Sequence, residues 1–169
     1  MNRPSSIVLH QDDIGMCHGA NVAFDELSAL GTITSGSVMV PCPWFSEAAE
    51  MARVNTALDL GVHLTLTAEK RHYRWSPLIG SSKSSGLVDD EGYMWRDVAS
   101  VRKHADPRAA AEEMRAQLER AVSSGFDVTH LDAHMGAVLA PEFCGEYLRL
   151  ADEYEIPALM TRTLAAYGP

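Results

Sequence analysis

Residues 7–31, IVLHQDDIGMCHGANVAFDELSALG, decide how the rest of the chain is read. Ile7 to His10 is a short, β-branched apolar run of the kind that is buried in a parallel sheet. Asp12, Asp13 and Gly15 break it. From Asn21 to Leu30, Val22, Phe24, Leu27 and Leu30 recur at helical spacing, and Gly31 offers a helix stop. A strand that runs directly into a helix is the unit of an α/β fold.

The unit repeats. Ile33 to Val40 is expected as the second strand, closed by Pro41-Cys42-Pro43, with Ser46 capping a helix from Glu47 to Arg53. Leu58 to Leu66 is the third strand. Residues 67–101 have no sustained period and hold Tyr73, Trp75, Tyr93, Trp95 and a Ser/Gly cluster at 81–86, so a long loop excursion is expected there. Asp106-Pro107 opens the clearest helix, through Val122 to a stop at Gly125. Asp127 to Leu131 is the fourth strand. Pro141 opens a helix to about Tyr154, and Ile156 to Thr161 is the fifth strand candidate. The 169 residues read as one domain. Five strands fall short of a closed barrel, which takes about eight strands and roughly 250 residues. The expectation is the N-terminal part of a longer domain, with a small open sheet as the alternative.

Bulk chemistry narrows the partners. The net charge is −9, and both nucleic acid and anionic membrane surfaces require basic patches, so neither is expected as a partner. Cys17, Cys42 and Cys144 are scattered and odd in number, which argues against a disulfide framework. The apolar run before His10 is too short for a signal-peptide core or a membrane span, and the expected location is the cytoplasm.

Three short stretches carry candidate chemistry: Asp12-Asp13, His63 within Gly-Val-His-Leu-Thr-Leu, and His130-Leu-Asp-Ala-His134. Each lies at or near the end of an expected strand, where α/β folds build their sites. On an extended strand Asp12 and Asp13 point to opposite faces; in a loop both line one pocket. Their repulsion is relieved if one binds a cation and the other remains a free base, and a turn or a helix cap is the alternative. His63 reads either as a hydrogen-bonded core residue or as a ligand. His130, Asp132 and His134 share one face of an extended strand, a pattern that supplies a ligand, an orienting carboxylate and a second imidazole. His10, two residues before the Asp pair, is close enough to line the same pocket. No nucleophile elbow or phosphate-binding glycine loop is present in the sequence.

Taken together, "HQDDIGMCHGAN", "GTITSGSVMVPCPWFSEAA", "DLGVHLTLTAE", "VTHLDAHMG", Pro141 and "EYEIPALMTR" resemble the YdjC-like carbohydrate deacetylase family, which includes chitooligosaccharide and hopanoid-pathway deacetylases. The resemblance spans essentially the whole chain. It implies an irregular (β/α) barrel of the polysaccharide-deacetylase type, of which this chain is the N-terminal part. It also implies a divalent metal held by Asp13, His63 and His130, with Asp12 as general base and Asp132 and His134 as supporting or substrate-contacting residues. The implied metal is Zn²⁺ or Mg²⁺, with Co²⁺, Ni²⁺ and Mn²⁺ also compatible. The implied reaction is removal of an acetyl group from a small acetylated sugar or oligosaccharide by metal-activated water. Another amide or ester hydrolase, or a truncated non-catalytic binder of metal or carbohydrate, is the alternative, and a homodimer is compatible. Two departures stand out. Met135, Gly136, Ala137 and Val138 follow His134 where many members carry further histidines, and the late histidine expected as general acid has no counterpart after residue 134.

Overall fold

The computed structural model describes residues 6–162; the ends of the expected 1–169 unit, residues 1–5 and 163–169, lie outside it. Four parallel strands form one sheet in the order β1 (His10–Ile14), β2 (Ser35–Val38), β3 (Leu60–Leu64) and β4 (Val128–Ala133). The helices are α1 (His18–Ala29), α2 (Phe45–Val54), α3 (Val98–His104), α4 (Pro107–Ser123) and α5 (Cys144–Glu153). This is the expected α/β order, and among the described residues the sheet is not closed into a barrel.

Apolar burial sets the layers. Val38, Leu60, Val62, Leu64 and Leu131 join Phe24, Phe45, Met114, Leu118 and Tyr147 of the helices in one core. Gly36 faces this layer, where any side chain would strike Ile14 and Phe24. Period-2 alternation then sends Ser35, Ser37, Gly61, His63, His130 and Asp132 to the opposite face of the sheet. That face is polar, and the site is built on it.

Several expectations shift. β1 begins at His10, not Ile7, and Ile7, Val8 and Leu9 are exposed. A strand exists only where a partner pairs with it, and the register with β2 starts at His10 opposite Ser35. Asp12 and Asp13 therefore lie inside the strand. The register slips between Gln11 and Ile14, and Asp13 takes a left-handed φ of 58°. Such a bulge re-aims a side chain and is frequent beside functional sites.

The fifth strand reduces to a single parallel bridge between Leu131 and Ala158. Helix α2 starts at Phe45, with Trp44 rather than Ser46 at its cap and no side-chain capping bond. The excursion from 67 ends early, because Asp97 accepts a hydrogen bond from Ser100 N and nucleates α3. Asp106 caps α4 as expected, accepting from the backbone of Arg108 and Ala109. Within the excursion, Trp75 and Met94 pack with Met39, Cys42 and Ala68 in a second apolar cluster, and Trp75 Nε1 donates to Thr67 O. This lays the excursion over the ends of the strands.

Candidate metal centre

Asp13, His63 and His134 converge at the C-terminal ends of β1, β3 and β4. Asp13 Oδ1 lies 3.1 Å from His134 Nδ1 and 3.5 Å from His63 Nε2. Oδ1 is buried, yet neither approach has hydrogen-bond geometry. All three atoms lie within 4.8 Å of one another, a spacing that a shared cation can bridge. The two imidazoles meet edge to face with centroids 5.1 Å apart, and Trp75 packs against His134 at 6.2 Å.

Each imidazole is oriented from behind by a carboxylate. His63 Nδ1 is 2.6 Å from Asp132 Oδ1, its register partner on β4, so the proton is assigned to Nδ1 and the Nε2 lone pair points to Asp13. His134 Nε2 is 3.0 Å from Glu69 Oε2, which leaves Nδ1 toward Asp13. A carboxylate behind each histidine is the usual support of a metal-binding imidazole.

The electrostatics agree with this geometry. Burial disfavours a charged His134, but Asp13 and Glu69 outweigh it and raise its pKa to about 9. The close His134 imidazole in turn holds Asp13 below the ordinary carboxylate range, against the cost of burial. Burial likewise opposes ionisation of Asp132, but contacts from His10, His63 and the Ser37 hydroxyl keep it far below its usual value. Asp12 is exposed, and its charge is close enough to His10 to favour that imidazole's protonated form, after the larger effect of Asp132.

The expected ligand His130 does not join Asp13 and His63; His134 stands in that place. His130 and His134 were expected to share a face, but a shared face is not a shared level. Four residues of extended strand span about 13 Å. His134 lies just past the C-terminal end of β4, level with Asp13, whereas His130 lies mid-strand, beside Gly61 and His10. Asp132, between them in sequence, touches both groups through its two oxygens. Glu69 was not anticipated. It lies three residues past the strand-like run through Leu66, and its position beyond a strand's C-terminal end was the one signal for it.

Comparison with known proteins agrees with the fold and the motifs. The family model described as YdjC-like protein matches residues 6–167. A carbohydrate deacetylase of Thermus thermophilus is 38% identical over 162 residues, covering 96% of this chain and 56% of the relative. Another from Brevibacillus brevis is 32% identical over 151 residues, covering 89% of this chain and 57% of the relative. A crystal structure from Enterococcus faecalis, of a protein named for cellobiose-phosphate cleavage, superposes with a TM-score of 0.81 at 27% identity. It covers 95% of this chain and 61% of that one. The chain thus spans a little under two thirds of the length of these relatives. Among the described residues, no helix is long and apolar enough to cross a membrane.

Proposed function

The chain belongs to the YdjC-like family, and on that footing we propose that it carries the metal-binding part of a carbohydrate deacetylase, which hydrolyses the amide of an N-acetylated sugar or oligosaccharide. The observation that carries this reading is the convergence of Asp13 Oδ1, His63 Nε2 and His134 Nδ1 without hydrogen bonds among them. One carboxylate and two imidazoles suit Zn²⁺, Co²⁺, Ni²⁺ or Mn²⁺, and Mg²⁺ where water completes the shell. When bound, such an ion lowers the pKa of water and polarises an acyl oxygen.

The remaining work falls to the chain's own side chains. Asp132 and Glu69 hold His63 and His134 in one tautomer and one orientation. Asp12, adjacent to Asp13 and free of a hydrogen-bond partner assigned to another task, is the base that accepts the proton of the attacking water. Trp75 shields His134 from solvent, and Tyr73, part-exposed and edge-on to Trp75 at 6.2 Å, offers an aromatic surface for the apolar face of a sugar ring. The names of the relatives support the choice of substrate.

The test is acetate release from a chitooligosaccharide by the metal-loaded chain. Asp12→Asn is expected to lower the rate by about 10²-fold or more while metal content stays unchanged. An undiminished rate in that variant would remove Asp12 from its role. Absence of acetate release from a fully loaded wild-type chain would overturn the assignment of the activity to this chain.

A further inference from the structure

A second convergence lies at the opposite, N-terminal end of the strands. His10 opens β1, Ser35 opens β2, Asp59 directly precedes β3, and Thr129 and His130 are the second and third residues of β4. There His10 Nε2 is 3.2 Å from Asp132 Oδ2, the oxygen that does not face His63. The rings of His10 and His130 meet edge to face at 5.4 Å. Among the described residues, His130 Nε2 is buried without a hydrogen-bond partner. One ligand atom each from His10, His130 and Asp132 falls within 4.8 Å of the others.

We propose that His10, His130 and Asp132 form a second divalent-cation site, separate from Asp13, His63 and His134, of the class that Zn²⁺, Co²⁺ and Ni²⁺ fill.

The support behind each ring has the form expected of a ligand. The Thr129 hydroxyl donates to Asp59 and accepts from His130 Nδ1 at 2.9 Å, so the His130 proton sits on Nδ1 and the Nε2 lone pair faces inward. His10 Nδ1 is 3.1 Å from Ser35 Oγ, and its Nε2 lies 3.2 Å from both Asp132 Oδ2 and Ser37 Oγ, whose hydroxyl donates to that same Oδ2 at 2.7 Å, so a bound ion would displace the Ser37 contact. Ligand atoms around a tetrahedral Zn²⁺, bound at about 2.0–2.2 Å, are about 3.4 Å apart, so the His10–Asp132 approach is already near that spacing. Gly61 makes the room: a Cβ there would come within 2.5 Å of the His130 ring and its carbonyl oxygen. A cavity of about 460 Å³, lined by His10, Asp59, Thr129, His130, Pro157 and Leu159, adjoins the two imidazoles. Two imidazoles with one carboxylate favour borderline transition ions over Ca²⁺, as they do at the first centre. The site ties the start of β1 to β4, and it shares Asp132 with the other centre without sharing a ligand atom.

The proposal does not depend on the deacetylase reading, and Zn²⁺ stoichiometry of the whole chain tests it. After equilibrium dialysis the wild type is expected to hold about two Zn²⁺, and His10→Asn, His130→Gln and His134→Gln about one each. His18→Ala controls for the exposed His18–Glu47 pair and should leave both. In His134→Gln the remaining Zn²⁺ should still raise Tm, since it bridges β1 and β4. A wild type holding one Zn²⁺, kept in His10→Asn and His130→Gln but lost in His134→Gln, would overturn the second site and leave the first. In that case His130 Nε2 meets an internal water only. One Zn²⁺ lost in His10→Asn but kept in His134→Gln would uphold the second site and overturn the first. No Zn²⁺ in the wild type would overturn both. The wild-type count decides between one and two even if a variant misfolds.

Discussion

Two buried polar regions of this protein look alike in composition and differ in what their atoms face. Between β3 and α4, Thr65, Glu113 and Gln117 are fully buried. Gln117 Nε2 donates to Thr65 O and to Glu113 Oε1, each at 2.7 Å, and Gln117 Oε1 accepts from Thr65 N at 2.9 Å. Glu113 Oε2 accepts from Ile79 N at 3.0 Å, which pins the excursion to the helix layer. Every donor there has an acceptor, and the network is closed. On the other face of the sheet, Asp13 Oδ1 and His130 Nε2 are buried with none. Burial costs polar groups stability unless they are paired. A closed network is structure; converging groups without partners mark a place for something else.

Four measurements test this contrast, in falling order of expected effect. His63→Ala should weaken Zn²⁺ or Mn²⁺ binding at the Asp13 centre by about 10²-fold or more, whereas Gln117→Ala should leave it within about twofold. Competition with a chromophoric chelator reads both, and equal losses would erase the distinction between the regions. Asp132→Asn and Glu69→Gln should each cost about 10–100-fold in the same assay, because each removes a carboxylate that orients an imidazole rather than the ligand itself. Full affinity in both variants would mean that the rings need no support.

The third measurement turns to the closed network. Gln117→Ala leaves Thr65 and Glu113 without their partner and should cost about 1–3 kcal/mol in urea unfolding, at unchanged metal affinity. A neutral result would show that water replaces the amide.

The smallest effect is a pH dependence. Burial raises the Glu113 pKa above the ordinary 4.5, against its hydrogen bonds from Gln117 and Ile79. The folded state therefore holds a proton that the unfolded state gives up. Its contribution to stability is fully present below 4.5 and declines as pH rises through the folded value. Glu113→Gln has no such decline, so wild-type stability relative to the variant should fall as pH rises above 4.5. A constant difference across that range would mean that the carboxylate is ionised at no cost.

Much of the fold was legible from local pattern. The alternation of β-branched runs with helical spacing predicted the order of elements, and Asp106-Pro107 predicted the start of α4. What local pattern misjudged were boundaries that depend on pairing. Ile7 to Leu9 is the stronger β-forming run, but β2 offers its partners only from His10 onward, so the strand starts there. The reverse holds at Ile156 to Thr161, where Leu131 exchanges two backbone hydrogen bonds with the segment and no ladder extends them. At the site, residue types and parity were readable: Asp13, His63 and the face shared by His130, Asp132 and His134. Their levels were not.

The linear chain was enough to nominate the residues that are candidates for chemistry, to assign the face of each strand they occupy, and to identify the family. Period and composition are local properties, and a linear reading captures them. The folded chain alone shows that His134 rather than His130 stands with Asp13 and His63, that Glu69, at the start of the excursion, contacts His134, and that His10 and His130 make a group of their own. Those assignments depend on the stagger between strands brought together from distant parts of the chain. A shift of two residues along a strand moves a side chain by about 7 Å while leaving it on the same face.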